Sequence, residues 1–121
     1  MLTIAIVEDD PGVRRALKQL LSAFGYRTET FESGEKFLRA APTSKVDCVI
    51  MDISLGDTSG LELVRQLSQT SGLKFPVIFI SGVENETVAR RANELGCIAF
   101  LRKPFPAHLL IEVLRGLHDF P

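Results

Sequence analysis

The sequence is poor in the features that mark several protein classes. Cysteine is scarce, with two in 121 residues. Two are too few for a zinc site. Cys48 and Cys97 both stand in apolar surroundings and read as small buried thiols. A reducing compartment disfavours joining them. Charge of one sign is not in excess either: 14 Lys and Arg face 15 Asp and Glu, for a net charge of −1. No basic stripe appears, so nucleic-acid binding by this chain is not expected. No apolar run approaches the roughly 20 residues of a membrane span. The opening, Met1-Leu2-Thr3-Ile4-Ala5-Ile6-Val7, has no basic start and too short an apolar run for a signal peptide. The expected compartment is the cytoplasm. Internal repeats, linkers and low-complexity tracts are missing too, and the length fits one domain over residues 1–121. A chain of this length buries about two-thirds of its unfolded surface, so one core suffices without staples.

What is present is an alternation. Leu2 to Val7 is apolar apart from Thr3, as a strand buried on both faces should be. Asp10-Pro11 then supplies an N-cap and a proline at the first helical position. Val13, Ala16, Leu17, Leu20, Leu21 and Phe24 follow at helical spacing, and Gly25 ends the helix. Arg27 to Phe31 alternates like an edge strand. Ser33-Gly34 opens a short helix through Phe37 and Leu38, and Pro42 to Lys45 is a loop. Val46 to Met51 is a third strand running straight into Asp52. Ser59-Gly60 starts a helix with Leu61, Val64 and Leu67. Val77 to Ile80 is the fourth strand, left at Ser81-Gly82. Val88, Ala92 and Leu95 mark a fourth helix stopped by Gly96. Ile98 to Leu101 is the fifth strand, and Pro106 opens the last helix. This (βα)5 order predicts an α/β fold: a parallel sheet with helices on both faces and right-handed crossovers. Sites in such sheets lie at the carboxyl ends of the strands, near the point where strand order reverses.

The residues at those ends are Glu8-Asp9-Asp10, Asp52, Ser81 and Arg102-Lys103. Asp10, directly before Pro11, reads as the helix cap. Glu8 and Asp9 are adjacent carboxylates at a buried strand end, and they repel each other unless a cation neutralises them. Asp52 adds a third carboxylate. Oxygen-only ligands with high charge suit Mg²⁺, and the lack of nearby His or Cys argues against zinc. A carboxylate beside a metal and an ammonium, Lys103, can attack phosphorus and form an aspartyl phosphate. Ser81 is placed to donate to a phosphate oxygen. A cis Lys103-Pro104 bond would turn the lysine back into the site.

These residues resemble the receiver domain of response regulators. The likeness rests on Ile6-Val7-Glu8-Asp9-Asp10-Pro11-Gly12-Val13-Arg14, Val49-Ile50-Met51-Asp52-Ile53-Ser54-Leu55, Ser59-Gly60-Leu61-Glu62-Leu63, Val77-Ile78-Phe79-Ile80-Ser81-Gly82 and Phe100-Leu101-Arg102-Lys103-Pro104-Phe105, and it covers essentially the whole chain. Thr30 to Leu38 resembles the subgroup coupled to helix-turn-helix output domains. The resemblance implies a flavodoxin-like, doubly wound, five-stranded sheet of order 2-1-3-4-5. It implies that Asp52 is phosphoacceptor and Mg²⁺ ligand, with Mn²⁺ able to substitute. Asp9 would ligate directly, Glu8 through water, and Ser54 through its backbone carbonyl. Lys103 would pair with the phosphate, and Ser81 and Phe100 would form the switch pair. The donor would be a phosphohistidine on a histidine kinase or a histidine phosphotransfer protein. Catalysis would be confined to the chain's own phosphorylation and dephosphorylation.

Some positions depart from the family pattern. Phe100 stands where Tyr is frequent. Because Phe has no hydroxyl to satisfy, its inward state should be easier to reach without phosphate. Gly56 replaces a frequent Pro, so the Leu55 to Ser59 loop is expected to be looser. Asp57 adds charge near the site, and Ser54 with Val83 would tune phosphate lifetime. On the last helix, Leu109, Leu110, Val113 and Leu117 form the expected inner stripe. Ile111 then lies opposite and Leu114 on the flank. That predicts a partner surface, serving a homodimer or a target, on the fourth helix, fifth strand and fifth helix, with Ile111 and Leu114 at its centre.

Other classes stay open on the residues alone. A phosphohydrolase of the haloacid dehalogenase type also uses an Asp nucleophile with Mg²⁺, but it usually has a second Asp where Ser54 stands. A flavodoxin-like cofactor binder wants a Gly/Ser/Thr-rich phosphate loop after strand 1, where this chain has Glu8-Asp9-Asp10. A receiver-shaped module that is never phosphorylated would lack some of the key groups, and here all are present.

Overall fold

Each apolar run becomes a strand because its alternate residues have a core to face on both sides. The computed structural model describes residues 2–40, 45–55, 58–70, 76–82 and 86–117. Its main sheet contains β1 (Thr3–Val7), β2 (Arg27–Phe31), β3 (Cys48–Asp52), β4 (Val77–Ser81) and β5 (Ala99–Arg102). The helices are α1 (Pro11–Ala23), α2 (Gly34–Ala40), α3 (Gly60–Thr70), α4 (Glu86–Glu94) and α5 (Ala107–Gly116). All sheet pairings are parallel and the order is β2-β1-β3-β4-β5. This is the expected doubly wound, flavodoxin-like arrangement.

Strand periodicity divides the interior in two. Ile4, Ile6, Cys48, Ile50, Ile78 and Ile80 join Leu17 and Leu21 of α1 and Leu110, Ile111 and Leu114 of α5. Ala5, Val7, Val49, Met51 and Phe79 join Phe37, Leu63, Val64, Leu67 and Ala92 from α2, α3 and α4. Each fully buried side chain of this kind contributes about 1.5–3 kcal/mol. The sheet is therefore clamped from both faces, and its carboxyl edge is a stable platform. Strand order reverses between β1 and β3, so the turns after those two strands diverge and leave a crevice.

Helix ends follow the sequence signals. Asp10 caps α1, its Oδ1 accepting from Gly12 N at 2.8 Å and Val13 N at 3.2 Å. Gly25 (φ 89°) and Gly96 (φ 80°) adopt the left-handed conformation just past α1 and α4, where a Cβ would be strained.

Three expectations need correction. The phase of α5 is rotated: Ile111 and Leu114 are 3% and 0% exposed, whereas Leu109 is 38% exposed. Six apolar residues wrap more than half of this helix, so spacing leaves its phase open and packing against the sheet decides it. Ile111 and Leu114 are core residues and cannot centre a partner surface. Second, Ala16 and Phe24 of the first helix are exposed, and Phe24 lies under the Arg115 guanidinium, 6.0 Å from its ring centre. Third, Cys97 is only partly buried, although Cys48 is buried as expected. One element was not foreseen: Ser54–Leu55 pairs antiparallel with Thr58–Ser59 as a two-residue ladder. Gly56, Asp57 and Val83, with most of the Pro42 to Lys45 loop, lie outside the described residues.

Candidate functional site

The site forms where three strand ends meet. β1 delivers Glu8 and Asp9, β3 delivers Asp52, and the turn after β5 delivers Lys103. Lys103 Nζ donates to Glu8 Oε1 at 2.8 Å and to Asp52 Oδ2 at 2.9 Å. The Lys103-Pro104 bond is cis. Carboxylate oxygens of Glu8, Asp9 and Asp52 all lie within 4.8 Å of one another. The sequence-predicted residues Glu8, Asp9, Asp52 and Lys103 thus come together from positions up to 95 residues apart.

Their environments differ. Glu8 and Asp52 are buried, whereas Asp9 is exposed. Burial, then the neighbouring Asp52 carboxylate, pushes Glu8 up to about 7 against the pull of Lys103. Burial alone would lower Lys103, but its bonds to Glu8 and Asp52 outweigh that and raise it. The ammonium therefore stays charged between two carboxylates. Removing the lysine would strand two buried carboxylates, a loss that typically costs about 3–5 kcal/mol for a buried pair.

Asp52 is held from its own loop as well. Its Oδ1 accepts the Ser54 backbone N–H at 3.0 Å. The Ile53 N–H continues the sheet to Ile80 O at 3.0 Å, and Gly60 N–H closes the loop onto Ile53 O at 2.7 Å. Ser81 is buried at the end of β4, and its carbonyl accepts the Lys103 N–H at 2.7 Å. Phe100 pairs with Phe79 across β4 and β5 and packs, partly buried, on the core that includes Ala92.

Two contributors escaped the sequence reading. Gly60 was seen only as a helix start. A Cβ there would press on the Asp52 carbonyl oxygen inside van der Waals contact, and would lie 3.2 Å from Asp52 C and Ile53 Cα. Arg14 closes the first family motif without a role read for it; its Nη1 donates to the Glu8 carbonyl at 2.9 Å. A glycine following Ser59 was a usable signal for the first. Membership of the Ile6 to Arg14 motif was the signal for the second.

The donor set suits a hard divalent cation. Three carboxylates offer oxygen only, and Mg²⁺ demands octahedral oxygen at about 2.0–2.1 Å, so opposite ligands span about 4.2 Å. Oxygens within 4.8 Å reach that span with a small contraction or an intervening water. The residues present therefore fit Mg²⁺.

Residues 4–115 match the response regulator receiver domain. The chain belongs to that family. This receiver domain is 36% identical over 113 residues to response regulator protein TodT of Pseudomonas putida, covering 93% of this chain and 49% of that protein. It is 32% identical over 112 residues to transcriptional regulatory protein FixJ of Rhizobium meliloti, covering 93% and 54%. The chain thus spans about half the length of these curated relatives. The crystal structure of FixJ-N superposes with a TM-score of 0.90 at 30% identity, covering 100% of this chain and 96% of that one. The receiver domain is a module of two-component response regulators. Among the described residues no helix is long and apolar enough to cross a membrane.

Proposed function

We propose that this receiver accepts a phosphoryl group on Asp52 from a phosphohistidine and relays that event to a partner or output domain. The observation that carries the reading is the meeting of Glu8, Asp9 and Asp52 with Lys103 at one carboxyl edge of the sheet. A carboxylate oxygen of Asp52 attacks phosphorus, the P–N bond to the donor imidazole breaks, and the imidazole leaves. Ser54 N–H and Lys103 hold the two Asp52 oxygens in place, and a carboxylate oxygen retains a lone pair for attack. Lys103 stabilises the charge gathering on the transferred oxygens. Asp9 and Asp52 would hold Mg²⁺ directly, Glu8 through water, and Ser54 through its backbone carbonyl; the ion supplies charge neutralisation in the transfer. Mn²⁺ serves the same ligands. The chain acts on its own phosphoryl group and turns over no separate substrate. The cytoplasm is the compartment this chemistry requires, since a kinase or phosphotransfer protein must reach Asp52.

Ser81 would then donate to a phosphate oxygen, with Phe100 following inward. A charge-assisted hydrogen bond is worth roughly 1.5–3 kcal/mol, whereas inverting a 1:99 equilibrium needs about 5.5 kcal/mol. Ser81 alone is too weak. Lys103, the metal or a docked partner supplies the remainder.

The test is a titration with acetyl phosphate or beryllofluoride plus Mg²⁺, comparing the parent with Asp52→Asn. The parent should respond and the variant should not. An unchanged response in the variant would remove Asp52 from the role.

A further inference from the structure

We infer that Arg14 is a positioning residue for the metal ligand Asp9, acting through main-chain carbonyls on either side of it. The inference rests on the magnesium reading above and names a residue that reading does not use.

The β1–α1 turn carries Glu8, Asp9 and Asp10. Glu8 is anchored by its N–H, which donates to Phe31 O at 3.1 Å and extends the ladder with β2. Its carbonyl lies past the last paired residue of β1, Val7, and a partly buried carbonyl outside the ladder needs another donor. Arg14 Nη1 supplies it at 2.9 Å. The backbone N–H of the same residue donates to Asp10 O at 2.9 Å. One residue thus holds the carbonyls before and after Asp9. Further bonds reinforce the bracket. Asp10 N–H reaches Glu8 Oε2 at 3.4 Å, and the Asp10 side chain caps α1. Asp9 itself is exposed, so the direction of its carboxylate depends on the backbone around it.

The guanidinium bond is the part of the bracket that a substitution can remove. The backbone bond to Asp10 belongs to the helix and survives any change except proline. Losing the guanidinium frees the Glu8–Asp9 peptide to rotate, so Asp9 must be ordered each time a cation binds. Partners that orient metal ligands typically contribute 10–100-fold to metal affinity. A rival account gives the opposite sign. If Arg14 acted only as a nearby positive charge, it would repel a divalent cation, and its removal would tighten binding.

The experiment is Mn²⁺ binding followed by electron paramagnetic resonance on the unphosphorylated chain. Parent, Arg14→Ala, Arg14→Gln and Arg14→Lys are compared, with ¹⁵N relaxation of the Asp9 and Asp10 amides measured without metal. Arg14→Ala and Arg14→Gln should raise the dissociation constant by about tenfold or more. They should also increase fast motion at Asp9. Arg14→Lys, which can still donate to the Glu8 carbonyl, should recover most of the affinity. At saturating Mg²⁺ the acetyl-phosphate rate should stay within about twofold of the parent, because Asp52 and Lys103 are untouched. Should Arg14→Ala misfold, Arg14→Gln carries the comparison. Unchanged or tighter Mn²⁺ binding in a folded Ala or Gln variant overturns the inference. A parent chain that binds no Mn²⁺ overturns instead the magnesium reading beneath it.

Discussion

Two buried carboxylates share one ammonium at the sheet edge, and in the presence of a chelator this makes stability depend on pH in an unusual direction. Glu8 has an ordinary value of 4.5 and is pushed up to about 7 in the folded chain. Below pH 4.5 both folded and unfolded chains hold the proton, and the slope from this group is zero. Between 4.5 and 7 the folded chain keeps a proton that the unfolded chain has released. Stability therefore falls as pH rises through this window and levels off above it. Each pKa unit corresponds to about 1.4 kcal/mol, so the full loss is at most about 3–4 kcal/mol. Glu8→Gln should abolish the slope, whereas Asp52→Asn should only reduce it, because the burial of Glu8 remains. The assay is urea unfolding in chelator from pH 4.5 to 8. The quantity of interest is the difference between parent and Glu8→Gln, which cancels the titration of exposed groups. Mg²⁺ should reverse the loss near pH 8, since the metal needs the deprotonated ligands. Parallel curves for parent and Glu8→Gln would refute the reasoning.

Three other outcomes follow from the packing. Gly60→Ala must displace the Asp52–Ile53 backbone, costing about 1–3 kcal/mol and slowing acetyl-phosphate uptake. Gly34→Ala presses instead on the Leu63 side chain, so it should lose stability with little effect on the saturated rate; equal slowing in both would refute the link to Asp52. Leu114→Ala should cost about 2–5 kcal/mol in urea unfolding, whereas Leu109→Ala should stay within about 0.5 kcal/mol; the reverse order would contradict the observed phase of α5. Burial pushes the Cys48 thiol up to about 12, so at pH 8 it should resist alkylation until the chain unfolds, with partly buried Cys97 modified first. Equal native rates at both thiols would be inconsistent with the buried position of Cys48.

Much of this architecture is written locally. The central strands β1, β3 and β4 are legible because each is an apolar run buried on two faces, and α1 is legible because Asp10-Pro11 and Gly25 punctuate it. The acidic pair is legible because Glu8 and Asp9 follow Val7 directly, at a strand end where like charges need a counter-ion. Each of these signals involves a few adjacent residues whose preference does not depend on distant partners.

Contacts between distant segments belong to the tertiary structure alone. Periodicity showed that α5 is apolar but not which way it turns, because its apolar arc is wide, and only packing into the core cluster that holds Ile6, Ile50 and Ile78 buries Ile111 and Leu114. The grip of Lys103 on Glu8 and Asp52, the bond from Arg14 to the Glu8 carbonyl, and the space that Gly60 leaves for Asp52 are facts of approach between backbones. Sequence spacing measures distance along the chain, and these groups meet because a parallel sheet, clamped on both faces, brings separate strand ends to one edge.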